Sequence, residues 1–237
     1  MPSPRARRIF TGSLVFLVAA FLALGTWQVQ RLFWKLDLIA RVESRIHADP
    51  VPAPARAEWP AITREGDEYR RVIATGLFRH DATVLVQAVT ERGAGFWVMT
   101  PLVLSDGTTV LVNRGFVPAD RRDPVHRAGS ELAAGPVAVT GLLRLTEPGG
   151  AFLRSNDPAN DRWFSRDVAA IAAAKGLADV APYFIDADGT PNPGGLPIGG
   201  LTVVAFRNSH LVYALTWYAL AAMSAAGIWR IHRRRRG

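Results

Sequence analysis

The longest apolar stretches of the 237-residue chain lie near its two ends. Ile9 to Trp27 is a run of 19 residues with no charged side chain, its most polar members being Thr11, Ser13 and Thr26. At 1.5 Å per residue this makes about 28 Å of helix, close to the hydrocarbon thickness of a bilayer. Leu211 to Trp229 is a second uncharged run of 19 residues. Each predicts a transmembrane helix. A cleaved signal peptide is the alternative for the first run, but the run is long and no small-x-small cleavage site follows it. A buried core helix is the alternative for the second. A charge-free run of this length that ends on a basic stop favours a span.

Helical character continues past the first run, because Arg31 to Ala48 contains neither Pro nor Gly, and this segment reads as a stalk. Val51-Pro52-Ala53-Pro54-Ala55 ends the helix and reads as a linker. Beyond it the period of the apolar pattern falls to two. Arg71 to Phe78 puts Val72, Ala74 and Phe78 on one face, and Thr83 to Ala88 is a short β-rich run. Phe96, Val98, Leu102 and Leu104 alternate with more polar positions. Asp106-Gly107 then separates this run from Thr108 to Asn113, which predicts a hairpin. Val137, Val139, Leu143 and Leu145 mark another strand, and Pro182 to Asp186 and Thr202 to Arg207 mark two more. One soluble helix is predicted, with Ser165 as N-cap and Asp167 in its first turn. Val168, Ile171 and Ala172 share its face and Gly176 ends it.

The predicted fold class is therefore α+β. Two terminal transmembrane helices flank a mostly antiparallel, barrel-like β domain with one or more short helices. The boundaries are a basic tail at 1–8, the first span at 9–29, the β-rich domain with its stalk at 30–207, the second span at 208–229 and a basic tail at 230–237.

Charge sharpens this picture. The chain carries a net +8, and Arg5, Arg7, Arg8, Arg230 and Arg233 through Arg236 account for all of it. A nucleic-acid binder needs its excess charge on a folded face or stripe. Short basic flanks beside apolar runs are topology signals instead, so no nucleic-acid partner is expected. The positive-inside rule puts both termini in the cytoplasm and the segment from about Arg31 to Asn208 on the other side. In a bacterium that is the periplasmic face of the inner membrane. The absence of cysteine excludes disulfides, thiolate zinc sites and covalent c-type haem attachment.

Enzyme signals are weak. His47, His80, His126, His210 and His232 form no HExxH or close His/Glu cluster, and no serine sits in a Gly-x-Ser-x-Gly elbow. The loop Asp188 to Gly200, with three Pro and five Gly, lacks the Lys-Ser/Thr of a Walker motif. Asn113-Arg114-Gly115 is either a partner-facing site or a strand end with a turn glycine. Trp163, near Asn156, Asp157 and Asn160, reads as a core or interface tryptophan on a capped turn.

His210 stands out by position, since it opens the second span at its outer end. Tyr213 and Trp217 follow at i+3 and i+7 and share its helix face. An imidazole beside aromatic rings suits axial ligation of a flat, apolar macrocycle. It also suits a polar interface cap, and on the residues alone the cap is the simpler reading. Trp27, Gln28 and Arg31 lie at the matching end of the first span. Arg31, Lys35 and Arg207 suit anionic groups such as propionates or lipid phosphates, with ordinary headgroup contact as the alternative.

A set of short strings in order resembles the surfeit locus protein 1 family of cytochrome c oxidase assembly factors. They are Leu24-Gly25-Thr26-Trp27-Gln28 with Arg31-Leu32 and Trp34-Lys35; Tyr69-Arg70-Arg71-Val72 with Gly76 and Phe78; Thr100-Pro101-Leu102; Leu111-Val112-Asn113-Arg114-Gly115; Asn156-Asp157-Pro158 with Asn160, Trp163 and Asp167; Pro182-Tyr183; and Asn208-x-His210-Leu211-x-Tyr213-Ala214-x-Thr216-Trp217-Tyr218. Phe116 departs from the family's usual Trp after Asn-Arg-Gly, and Gly199-Gly200-Leu201-Thr202 follows its glycine-rich string only loosely. The resemblance implies a chaperone-like, non-enzymatic assembly factor with no catalytic residues, which binds haem a transiently and helps deliver it to the oxidase's catalytic subunit. It implies His210 as the haem-iron ligand, with Tyr213, Trp217, Trp27 and Arg31 as further cofactor contacts. The expected partners are the oxidase catalytic subunit, a haem a synthase and the lipid bilayer. A cofactor-free membrane scaffold for an oxidase assembly intermediate is the main alternative. A tethered periplasmic enzyme is a third, for which no compact catalytic cluster is found.

Overall fold

The computed structural model describes residues 4–123, 135–151, 153–202, 204, 206 and 208–233. The chain divides into two compact units, Met1–Arg41 with Val204–Gly237, and Val42–Val203.

The first unit is built on two helices. Helix α1 spans Pro4–His47 and α4 spans His210–Arg233; the short α2 (Arg64–Asp67) and α3 (Val168–Ala174) belong to the second unit. Both are long and apolar enough to cross a membrane, and their apolar windows are almost wholly exposed. Among the residues that lose solvent, one series on each helix falls at alternating steps of three and four, with a few flanking positions such as Val29 and Leu220 beside it. On α1 the series is Leu14, Val18, Phe21, Gly25, Gln28, Leu32, Lys35 and Ile39; on α4 it is His210, Ala214, Trp217, Ala221, Ser224, Ile228 and Ile231. That 3.5-residue average is the seam of a left-handed helix pair, kept facing its partner by slight underwinding. Small residues let the helices approach closely. Gly25, Ala214 and Ala221 are the buried steps of the seam, and a Cβ placed on Gly25 would lie 2.7 Å from Cε1 of Tyr218. Phe21 stacks on Trp217 with centroids 5.7 Å apart.

The second unit is a closed β-barrel. Its seven strands are β1 (Val51–Pro52), β2 (Arg71–Phe78), β3 (Val84–Thr90), β4 (Gly93–Leu104), β5 (Thr109–Pro118), β6 (Val137–Leu145) and β7 (Val180–Ala187). They run in the order β1-β2-β6-β7-β5-β4-β3, and a further pairing of β2 with β4 closes β2, β6, β7, β5 and β4 into a ring. Only β5–β7 within the ring is parallel. Strand alternation divides two cores. Val72, Leu102, Val110, Val112, Tyr183 and Ile185 fill the barrel. The intervening Leu111 and Phe184 face outward, under Val168 and Ile171 of helix α3 (Val168–Ala174) and beside Trp163.

Three sequence expectations change. The N-cap of α3 is Asp167, whose carboxylate accepts from the Ala170 N–H at 3.1 Å. Ser165 is taken up elsewhere, accepting from Gly150 N and Asn156 Nδ2. The proline-rich segment is not a free linker: Val51–Pro52 lies parallel along β2, and the Pro54 carbonyl accepts from the buried Tyr183 hydroxyl and from Trp59 Nε1. The strand expected over Thr202 to Arg207 is absent at the described residues 202, 204 and 206. Thr202 bonds instead through its hydroxyl, donating to Asp186 at 3.0 Å. Residues 203, 205 and 207, His126 and the Arg234 to Arg236 part of the basic tail lie outside the described residues.

Candidate functional site

The first-unit helices meet at His210. It is the first residue of α4 and is half-buried. Its Nδ1 lies 2.7 Å from Oε1 of Gln28 on α1. The position explains the contact. His47 and His232 lie near helix C-termini, and each sends Nδ1 to the carbonyl four residues earlier in its own helix, Glu43 and Ile228, at 2.9 Å. His210 has no helical carbonyl one turn behind it, so its Nδ1 turns to the neighbouring helix. Gln28 can offer a carbonyl oxygen because it occupies the seam, two steps from Phe21 and one from Gly25.

Not all the predicted site residues meet there. His210 and Trp217 lie on the seam, with Ala214 rather than Tyr213 between them. Tyr213 and Trp27 are each about half exposed, on the outer surface of their helices. Arg31 is exposed and sits 4.7 Å over the ring of Trp34, and Lys35 sits 5.0 Å over Phe206. Both cations are thus already held on aromatic rings. Arg207 lies outside the described residues. Gln28 had been placed only at the matching end of the first span, and its partner was not foreseen. Tyr218, whose hydroxyl lies 3.3 Å from that of Thr26, was also missed as an interhelical contact.

The barrel holds a second polar cluster, centred on buried Asp186 of β7. Its carboxylate accepts from Asn113 Nδ2 at 2.7 Å, from the Arg144 and Arg166 guanidinium groups at 3.0 Å each, and from Thr202. Glu147 and Glu68 complete the charge balance. Burial alone would lower the Arg166 pKa, but Asp186 and Glu147 outweigh it and hold the group above its ordinary value. A groove of 460 Å³ runs past Trp97, Arg144 and Arg166, yet both guanidinium groups are committed to carboxylates. The cluster pins strands together. A lone acid closing the apolar run Val180–Ala187 was its only trace in the sequence.

Asn113-Arg114-Gly115 likewise proves internal. Asn113 and Arg114 are buried, and Arg114 donates to Asn192 at 3.1 Å. Gly115 has φ 128°, and a Cβ there would lie 2.2 Å from the Ile198 carbonyl oxygen. Trp163 is a core residue whose Nε1 donates to Asp161 at 2.9 Å. Among the described residues no three of His, Asp and Glu group as a metal site.

Fold and site together define a class: two apolar helices paired through a His–Gln contact, with a small five-stranded β-barrel between them in sequence. The SURF1 family model matches residues 15–222. Surfeit locus protein 1 of Rattus norvegicus is 40% identical over 231 residues, covering 90% of this chain and 72% of its own length. The Homo sapiens protein of that name is 40% identical over 231 residues, covering 90% and 73%. A SURF1-like protein of Monosiga brevicollis is 37% identical over 249 residues, covering 99% and 91%. The chain belongs to the SURF1 family.

Proposed function

We propose that this protein is a two-pass membrane assembly factor for a haem-copper cytochrome c oxidase, which takes haem a as cargo and assists its delivery to the catalytic subunit. The observation that carries the reading is His210 at the start of α4, held 2.7 Å from Gln28 across the helix seam. The residues fit the cargo. An imidazole with its Nδ1 engaged leaves Nε2 to ligate iron, and bound haem would supply that iron and a flat apolar ring. Trp217, and the exposed Trp27 and Tyr213, offer aromatic faces near the helix pair. Arg31 offers charge for a propionate in exchange for its contact with Trp34. Delivery then requires only that the receiving subunit bind haem more favourably than this site does.

The basic flanks at Arg5, Arg8, Arg230 and Arg233 support an inner-membrane topology with both ends cytoplasmic and the barrel periplasmic. The barrel is then the part that meets the oxidase catalytic subunit, and haem a synthase is the natural donor.

The test is the absorption spectrum of protein purified from cells that make haem a, beside His210→Ala. Haem in the wild type and its loss in the variant support the reading. Equal haem in both removes His210 as the essential ligand. A wild type that stays colourless after reconstitution, yet co-purifies with the oxidase subunit, favours a cofactor-free scaffold.

A further inference from the structure

The histidine has two ring nitrogens, and only one can ligate a metal while the other carries the proton. Which one is protonated is set by the hydrogen bond the other end makes. In this protein the Nδ1 contact is the Gln28 Oε1, an acceptor with no proton to give. With Oε1 facing the ring, the tautomer that satisfies this contact carries its proton on Nδ1 and leaves Nε2 bare. Nε2 has no protein hydrogen-bond partner among the described residues. We propose that Gln28 is the positioning residue for His210: it accepts from Nδ1–H, holds the imidazole in the tautomer with a bare Nε2, and fixes the ring across the seam. The role toward iron rests on the haem reading above; the tautomer itself does not.

Two features make this more than a chance contact. Metal-ligating histidines characteristically donate their second nitrogen to an acceptor that fixes orientation and raises basicity. Here that acceptor comes from the other helix, so ring orientation depends on helix pairing. The seam around it consists mainly of apolar or small residues such as Phe21, Gly25, Ala214 and Trp217, none of which can set a register by itself. A polar pair in such a seam favours one register, and the Thr26–Tyr218 contact joins the same two helices. Gln28 thus couples the ligand's tautomer to the alignment of α1 with α4.

The first arm of the test is nitrogen NMR of haem-free, full-length protein carrying labelled histidine, with His210 assigned by its loss in His210→Ala. The wild type should show one tautomer, protonated at Nδ1. Gln28→Leu should show a mixture of both. A proton on Nε2 in the wild type, or the same distribution in both proteins, overturns the proposal. The second arm loads haem. Gln28→Glu keeps the acceptor and strengthens it, so it should retain haem and lower the reduction potential relative to the wild type; Gln28→Leu should retain less haem. A potential unmoved by Gln28→Glu overturns the role toward iron. Gln28→Glu also serves if Gln28→Leu fails to fold. If His210→Ala binds haem like the wild type, His210 is not the essential ligand and the role of Gln28 toward iron falls, while the tautomer result stands on the first arm alone.

Discussion

The ring of Tyr218 occupies the space that a side chain on Gly25 would need. A Cβ on Gly25 would come within 2.7 Å of Cε1 and 2.9 Å of Cζ of that ring, although 193 positions separate the two residues in the chain. Gly25 lies about one turn from Gln28 on α1 and Tyr218 about two turns from His210 on α4, so the spacing of the helices beside the candidate site depends on a residue with no side chain.

Replacing Gly25 with leucine should therefore push the helices apart, break the Thr26–Tyr218 contact and weaken the Gln28–His210 bond. The chain has no cysteine, so an introduced pair at Leu14 and Gly227 reports the seam without background. A Cβ on Gly227 would lie 3.5 Å from Cδ1 of Leu14, so the two positions face each other across the seam. Disulfide formation between the two should be several-fold slower with Gly25→Leu than without it. An unchanged rate would show that the seam does not depend on Gly25.

Asp186 is the acceptor that both buried guanidinium groups share. Asp186→Asn keeps the shape but leaves Arg144 and Arg166 with less negative charge than they need. Removing one partner of a buried pair costs about 3–5 kcal/mol, and the remaining Glu68 and Glu147 put this case near the lower bound. The denaturation midpoint of the barrel should fall accordingly. A change within about 0.5 kcal/mol would mean the cluster is solvated, as an ordinary surface pair is.

Tyr183 gives the barrel an alkaline limit. Burial, and secondarily Glu58, push its pKa well above the usual tyrosine range, while its hydroxyl donates to the Pro54 carbonyl. The folded state therefore keeps a proton that the unfolded state loses near pH 10. Its contribution is complete below that pH and is lost as pH rises from there toward the folded-state value. Tyrosinate absorbance should show Tyr183 ionising only together with unfolding. Tyr183→Phe should remove that step and cost about 1 kcal/mol at neutral pH. A Tyr183 that titrates with the exposed tyrosines would contradict its burial.

Asp167, rather than Ser165, should govern α3. Asp167→Ala should cost about 1 kcal/mol and speed hydrogen exchange at the Ala170 amide, whose acceptor it removes. Ser165→Ala should leave that amide protected and loosen the turn at Gly150 and Asn156 instead. The opposite pattern would restore Ser165 as the cap.

The two caps show why local signals are only partly decisive. Ser165 and Asp167 both match an N-cap pattern, and only the rival demand of Gly150 and Asn156 for the serine hydroxyl separates them. The turn at Asp106-Gly107 had no such rival. Asp106 accepts from the Thr108 N–H and hydroxyl, and Gly107 takes φ 83°. The strand expected over Thr202 to Arg207 is absent at residues 202, 204 and 206 for a non-local reason, since the Thr202 hydroxyl is drawn to Asp186 on β7. At the candidate site, helix period placed His210 and Trp217 correctly on one face. It also grouped Tyr213 with them, because i+3 and i+4 differ little on an isolated helix. The 3.5-residue seam chooses Ala214.

What depends on a residue and its near neighbours is legible along the chain: two charge-free runs of bilayer length, the alternating strands, the Asp-Gly hairpin and the family to which the chain belongs. The tertiary structure alone decided which distant groups meet. Gln28 on His210, Tyr218 over Gly25 and two arginines on Asp186 each join positions that no local period relates. Their pairing follows from closure of the barrel and alignment of a helix seam, where burial makes an unpartnered polar group costly and so selects one partner for it.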